Sequence, residues 1–465
     1  MFKNILLNLP EVSGPTQKRL AFKEKLKWTL ICLVLFFVLG MIPLFGLGQN
    51  ALQQFEYLSL ILGAKFGSIV SLGIGPIVTA SIVLQLLNGS GLVKFDLTTQ
   101  DGKKYFQGTQ KMLAFFFIIF EAAIYVFMGG LAPEQALRGT PLYLQFEIII
   151  IAQLCLGGLL LLFMDEIVSK WGFGSGISLF IVAGVSQEIF IRAFSWLKGP
   201  SSEGAAYSTG KVIQLFQSLA QGDPTTAGLA LAAIASTILV FVIAVYAQAM
   251  KVEIPLSFGR VRGYGIRWPL HFIYTSNIPV ILVAALFANI QLWASLLQKS
   301  GHAWLGTYDS SGAATGLVSF IRAPDLVETI IKQQSFAIGW SIYIHSLVYI
   351  LLMIGGAVLF SYFWVQTAGM DARSQAKNIM ASGLQIPGFR KDERILEHLL
   401  QRYIGPLTIM GAIAIGFLAA IADLSSALSQ GTGILLSVMI VYRLYEEIAK
   451  QHMMDMYPGL RKMME

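Results

Sequence analysis

Ten stretches of this chain are apolar over about 20 residues each, the length a helix needs to cross a hydrocarbon core. They lie at roughly 28–48, 69–89, 111–130, 142–164, 174–194, 227–249, 269–294, 342–364, 404–421 and 431–449. A backbone in hydrocarbon must satisfy its polar groups internally, which leaves helices or a closed barrel. The run length selects helices, and the chain reads as an all-α integral membrane protein with ten transmembrane helices. Charge agrees: Asp, Glu, Lys and Arg make up 13% of the 465 residues, about half the share of a soluble domain. That is too little charge to cover a water-facing surface. The first run follows Lys18, Arg19, Lys23, Lys25 and Lys27, yet it is too long for a signal peptide and lacks a small-residue cleavage site, so it reads as a retained span. Residues 16–27 read as a basic amphipathic helix on the membrane surface.

Placing the N-terminus, the loops after spans 2, 4, 6 and 8 and the C-terminus on one face collects 25 of the 33 Lys and Arg residues there. Both termini are therefore expected in the cytoplasm. The expected organisation is a cytoplasmic N-terminus (1–27), an N-terminal half (28–197), an external hinge loop (198–226), a C-terminal half (227–450) and a cytoplasmic tail (451–465). Two cytoplasmic loops, 250–268 and 365–403, are long and basic. The halves echo each other: Gly75-Pro76-Ile77-Val78 in span 2 corresponds to Ile278-Pro279-Val280-Ile281 in span 7, and Gly174-Ser175-Gly176-Ile177 opens span 5 as Gly431-Thr432-Gly433-Ile434 opens span 10. A repeat of five spans must be inverted, and Gly/Pro-interrupted spans at matching positions mark where a transported object passes. Gly and Pro are also common in membrane helices generally.

Several chemistries lack the residues they need. The five histidines are scattered, with no HExxH and no Cys/His cluster, so a metal has no ligand set. No GxxxxGK[ST] cradles a nucleotide. No cofactor is expected and no enzyme activity is indicated. Ionisable residues fall near span ends, apart from Glu121. The interrupted spans carry aliphatics instead: Ile74, Val78, Ile177, Ile181, Ile281 and Leu436. The pairs Ile74/Val78 and Ile177/Ile181 are four apart and share a helix face. Such residues serve as ordinary packing or lipid contacts, or as a hydrocarbon constriction that gates by excluding water. Residues 49–68 are half polar, and suit either a surface helix or a re-entrant piece. Two classes of function stay open on these grounds, a channel with an apolar waist and an inverted-repeat secondary solute transporter, the second disfavoured by its missing midplane charge.

Longer motifs carry a resemblance. Gly73-Ile74-Gly75-Pro76-Ile77-Val78-Thr79-Ala80, Asp165-Glu166-Ile167-Val168-Ser169-Lys170, Tyr274-Thr275-Ser276-Asn277-Ile278-Pro279, Phe287-Ala288-Asn289-Ile290-Gln291-Leu292-Trp293 and Arg402-Tyr403-Ile404-Gly405-Pro406-Leu407-Thr408 resemble the signatures of the SecY family, the large subunit of the Sec protein-conducting channel. The resemblance runs from Phe22 to about Gly459. Val252-Glu253-Ile254-Pro255-Leu256 and Gly388-Phe389-Arg390-Lys391 look archaeal rather than bacterial.

The resemblance implies ten helices in two inverted pseudo-symmetric halves of five around a central hourglass pore, opening across the membrane and sideways into lipid. By motif position the pore ring is Ile74, Val78, Ile177, Ile181, Ile281 and Leu436. The segment 52–66, with Phe55, Leu58, Leu60 and Ile61, would be a plug. Thr79, Glu121 and Asn289 match a polar cluster at the lateral gate, between spans 2 and 3 on one side and 7 and 8 on the other. Arg260, Arg262 and Arg267, with Arg373, Lys377, Arg390, Lys391 and Arg394, would dock the ribosome. Implied partners are a SecE-like (gamma) subunit, a small single-span beta subunit, the ribosome, nascent chains with signal sequences and membrane lipid. SecA is not expected, and the implied location is the archaeal cell membrane.

Overall fold

A computed structural model describes residues 9–16, 20–48, 67–89, 92–93, 95, 99–127, 131–198, 207–258, 265–275, 278–299, 304–307, 315–333, 339–381, 384–385, 392–429 and 431–456. The described chain is predominantly helical. In order it forms α1 (Phe22–Gly40), α2 (Gly75–Gly89), α3 (Gln100–Phe127), α4 (Pro141–Trp171), α5 (Gly176–Phe194), α6 (Lys211–Gln221), α7 (Pro224–Ala249), β1 (Lys251–Phe258), β2 (Gly265–His271), α8 (Ile278–Lys299), α9 (Leu326–Gln333), α10 (Trp340–Thr367), α11 (Ala372–Ala381), β3 (Leu384–Gln385), α12 (Glu393–Leu424) and α13 (Gly431–Met456), with short 3-10 turns at Gln135–Leu137 and Gly316–Ile321. Six of the described helices, α3, α4, α5, α7, α10 and α12, are long and apolar enough to cross a membrane, and the shorter apolar pieces Gly75–Asn88 and Ile278–Gln291 join them. Each apolar run overlaps one helix.

Several boundaries differ from the sequence reading. Of the surface helix expected at 16–27, residues 17–19 lie outside the described residues; from Phe22 onward the chain is already in α1, because nothing between Phe22 and Gly40 breaks a helix, so Lys23, Lys25 and Lys27 ride on its first turns. It ends at Gly40, three residues before Pro43, which disfavours helix before it. The hinge expected at 198–226 contains α6, whose alternation of apolar Val212, Leu215, Phe216 and Leu219 with polar residues escapes a search for long apolar runs. Gly222, with φ 74°, ends α6, and Asp223 then caps α7 by accepting from the N–H groups of Thr225 and Thr226. α8 starts at Ile278 rather than 269, because β2 occupies the chain up to His271. α12 starts at Glu393, capped by Asp392, well ahead of the apolar run that begins at 404.

The two basic loops meet. β1 pairs antiparallel with β2, Ile254 opposite Trp268, and with β3, Ser257 opposite Gln385. Ile254 and Leu270 pack with Ala376, Ile379, Leu396 and Leu400 into a core of their own at one end of the bundle. The larger cores divide along the chain. One gathers α1, α3, α4 and α5 around Phe36, Ile118, Leu161 and Phe180. Another gathers α7, α8, α10, α12 and α13 around Val283, Met353, Ile415 and Met439. α2 belongs to both, since Ile77 and Ala80 join the first while Val78 and Ile82 join the second.

Candidate functional site

The site begins with the turn into α2. Gly73 takes φ 57°, a left-handed conformation that an L side chain resists. Pro76 then sits in the first helical turn, where a missing N–H costs nothing. The turn sets Ile74 just before the helix and Val78 in its first turn, at the junction of the two cores. Along this seam α2 packs against α8 and α10, while α5 packs against α13 on a second contact between the same groups of helices.

Five of the six ring aliphatics fall within the first two turns of α2, α5, α8 or α13, and Ile74 immediately precedes α2. Val78 is a member of the second core, and Ile74, Ile177 and Ile281 pack against it. Ile74 and Ile177 also pack against the first core, so they touch both sides of the seam. Leu436 is buried and Ile181 half-buried, neither of them in these clusters. The segment 52–66, with Phe55, Leu58, Leu60 and Ile61, lies outside the described residues.

Thr79, Glu121 and Asn289 come together, although up to 210 positions separate them. Asn289 Nδ2 donates to Thr79 Oγ1 at 3.2 Å, bridging α8 to α2. Thr79 Oγ1 has Glu121 Oε1 at 3.3 Å and its own helix's Gly75 carbonyl at 2.9 Å. The hydroxyl has one proton for two acceptors, and it receives the Asn289 bond whichever it chooses. Glu121 is 8% exposed, so its carboxyl depends on this contact. The second contact is also bridged by polar atoms: Ser429 Oγ donates to Glu188 Oε2 at 2.7 Å.

Of the basic residues, Arg267, Arg373, Lys377 and Arg394 are exposed, on β2, α11 and the first turn of α12. Arg267 also pairs with Glu253 across the hairpin at 3.2 Å. Arg260, Arg262, Arg390 and Lys391 lie outside the described residues. Near the start of the sequence, residues 10–13 strap the end of α4 and reach Lys111 within α3: Val12 N–H donates to Glu166 Oε2 at 2.9 Å, Trp171 Nε1 donates to the Ser13 carbonyl at 2.9 Å, Lys170 pairs with Glu11, and Lys111 donates to the Pro10 carbonyl. That Lys170 hydrogen bond holds the Glu11 carboxyl below the usual carboxylate range, against the opposing effect of burial. The strap was invisible in the sequence, where Glu11 and Lys170 lie 159 positions apart. Among the described residues, no group of three or more His, Cys, Asp and Glu side chains is placed to hold a metal ion.

These features define a class: a multi-pass helical membrane protein whose two groups of helices meet along a seam closed by aliphatic side chains and a small polar bridge. The SecY family model matches residues 68–445. The chain is 44% identical to the protein translocase subunit SecY of Methanothermobacter thermautotrophicus, over 99% of this chain and 97% of that one, and 43% identical to that of Methanocaldococcus jannaschii, over 99% and 98%. Its fold is similar to the solved structure of a protein-conducting channel, with TM-score 0.81, 43% identity and 98% of each chain covered. It is likewise similar to Sec61 in a canine ribosome–channel complex, with TM-score 0.78, 42% identity and 98% of each chain covered. The chain belongs to the SecY family.

Proposed function

We propose that this chain is the pore-forming subunit of an archaeal-type Sec translocon, passing secretory polypeptides across the membrane and releasing transmembrane segments sideways into lipid. The observation that carries the reading is the seam. An apolar junction closed by Ile74, Val78, Ile177 and Ile281 excludes water without preferring any solute, and the Asn289–Thr79 bond closes it weakly enough to open. The translocase names of its relatives support the same reading and disfavour the solute transporter.

In this reading ten helices form two inverted halves, 28–197 and 227–450, joined through 198–226, with both termini cytoplasmic and the membrane that of an archaeal cell. The ring is completed by Ile181 and Leu436, and 52–66 serves as the plug. Thr79, Glu121 and Asn289 form the lateral gate's polar latch. The sheet and helix α11 bring both basic loops to one surface, where Arg267, Arg373, Lys377 and Arg394, with Arg260, Arg262, Arg390 and Lys391, meet ribosomal RNA phosphates. A related channel has been solved in a ribosome complex, which supports that partner. A SecE-like gamma subunit and a single-span beta subunit brace the two halves. The channel is not an enzyme, needs no cofactor and uses no SecA.

The test is photo-crosslinking in membranes carrying ribosomes stalled on a secretory chain, with the probe at Ile281 or at the exposed Leu156 of α4. The nascent chain is expected to crosslink from Ile281 alone. Crosslinks from neither position, with ribosomes bound, refute a polypeptide path through the ring.

A further inference from the structure

Two aspartates perform one task in different parts of the fold. Asp165, six residues before the end of α4, accepts at Oδ1 from the N–H of Ile177 at 2.8 Å and from Ser175 Oγ at 3.4 Å. Asp423, at the end of α12, accepts at Oδ1 from the N–H of Thr432 at 3.0 Å and from Thr432 Oγ1 at 3.4 Å, while its Oδ2 accepts from Tyr349 Oη at 2.7 Å. Each time a helix sends a carboxylate to the first turn of the next long helix. Free N–H groups and the positive end of the helix dipole favour a negative partner there.

The surroundings match as well. Gly174-Ser175-Gly176-Ile177 and Gly431-Thr432-Gly433-Ile434 supply the donors. Gly176 permits the approach of its carboxylate, since a Cβ there would lie 2.5 Å from Asp165 Cα; Gly433 instead admits α5, a Cβ there falling 3.2 Å from a Val185 methyl. Each carboxylate borders a cavity, of about 430 Å³ with Ile77 and Ile177 in its wall, and of about 450 Å³ with Phe287 and Tyr349. In both helices a ring residue lies one turn beyond the bonded N–H, Ile181 after Ile177 and Leu436 after Thr432.

We propose that Asp165 and Asp423 are equivalent positioning residues, which fix the first turns of α5 and α13 and so hold Ile177, Ile181 and Leu436 in place at the pore constriction. This rests on the channel reading above. A helix is stiff over one turn, so a first turn that drifts carries its ring side chain with it and the apolar seal loosens. Within the matched sequences of spans 5 and 10 the second residue, Ser175 or Thr432, gives its hydroxyl to the carboxylate in both, while the bonded N–H is that of the fourth residue in span 5 and of the second in span 10.

The test measures resting ion conductance of the assembled complex, full-length and without substrate, in planar bilayers. Asp165→Ala and Asp423→Ala are expected to raise it by about tenfold or more, as a ring that no longer excludes water must. Asp165→Asn and Asp423→Asn keep an acceptor oxygen and are expected to stay sealed. Asp223→Ala removes the same kind of cap from α7, which bears no ring residue, and is expected to stay sealed while melting earlier. Ile281→Gly, which opens the ring directly, is the control. Sealed alanine variants beside a leaking Ile281→Gly overturn the positioning role and leave the channel standing. A sealed Ile281→Gly overturns the ring, and the positioning role with it. If the alanine variants do not assemble, Asp165→Glu and Asp423→Glu decide, because they keep the charge but displace the oxygen by one methylene: a leak supports the role, and a seal overturns it.

Discussion

Breaking the Asn289–Thr79 bond is expected to lower the apolarity a segment needs in order to leave the channel sideways. This is the cross-seam member of the polar cluster, an N–H···O contact of 3.2 Å between α8 and α2. Interhelical hydrogen bonds in membranes average about 0.6 kcal/mol and reach about 1.7. At about 1.4 kcal/mol per tenfold, Asn289→Ala shifts the closed-to-open balance by roughly 3-fold to 20-fold toward open. A leucine contributes about 0.3 to 0.6 kcal/mol to insertion at mid-membrane, so the threshold falls by roughly one to six leucines in a guest segment. The assay counts inserted against translocated guest segments of graded leucine content in proteoliposomes. Thr79→Val loses the same bond; the contact to Glu121 Oε1 at 3.3 Å that it also loses lies on one side of the seam, so its shift should be of similar size. The double variant isolates the pair: it should fall short of the sum of the singles by about 0.6 to 1.7 kcal/mol. Strict additivity, or a higher threshold in Asn289→Ala, would refute a latch made of these two side chains.

Three further outcomes follow from local geometry. Replacing exposed Arg373, Lys377 and Arg394 by Ala should weaken ribosome cosedimentation and flatten its salt dependence, by roughly 0.7 to 0.9 in the log–log slope for each phosphate no longer neutralised; an unchanged slope argues against docking there. Asp223 is held down to about 2, against an ordinary 3.8, chiefly by the hydroxyls of Thr225 and Thr226. Its folded value lies below its unfolded one, so its stabilisation is complete above the ordinary value and fades as pH falls toward the lowered one. Amide exchange in the first turn of α7 should therefore separate wild type from Asp223→Ala near neutral pH and converge in acid; a gap that widens in acid contradicts the cap. A Cβ on Gly157 would lie 2.0 Å from the Ile69 carbonyl oxygen, so Gly157→Ala must push backbone apart at a cost of about 1–3 kcal/mol or more, read as a lower melting temperature. An unchanged melt would mean that α4 and the turn before α2 are not in that contact.

What sequence alone determined here follows from the solvent. Hydrocarbon offers a backbone no hydrogen-bond partner, so an apolar run of sufficient length has one outcome wherever its neighbours lie, and each run indeed overlaps a helix. Charge asymmetry and the glycine–proline echoes are equally local, and the long motifs around Ile74, Asp165 and Asn289 pointed to the family. Helix ends were less legible, since α12 begins in a polar stretch before Leu396 and α6 is too short and polar for the same search. Tertiary structure decided which face of each helix meets what. Ile77 and Val78 are neighbours in sequence, yet they enter different cores. The basic loops 250–268 and 365–403 lie far apart in sequence and become one surface because β3 pairs with β1 and because Ile254 and Leu270 pack on Ala376, Ile379 and Leu396. Asp165 and Asp423 looked like charges near span ends, and their bonds to the next helix exist only once both helices are placed. Such contacts depend on distances across the fold, and spacing along one chain contains no information about them.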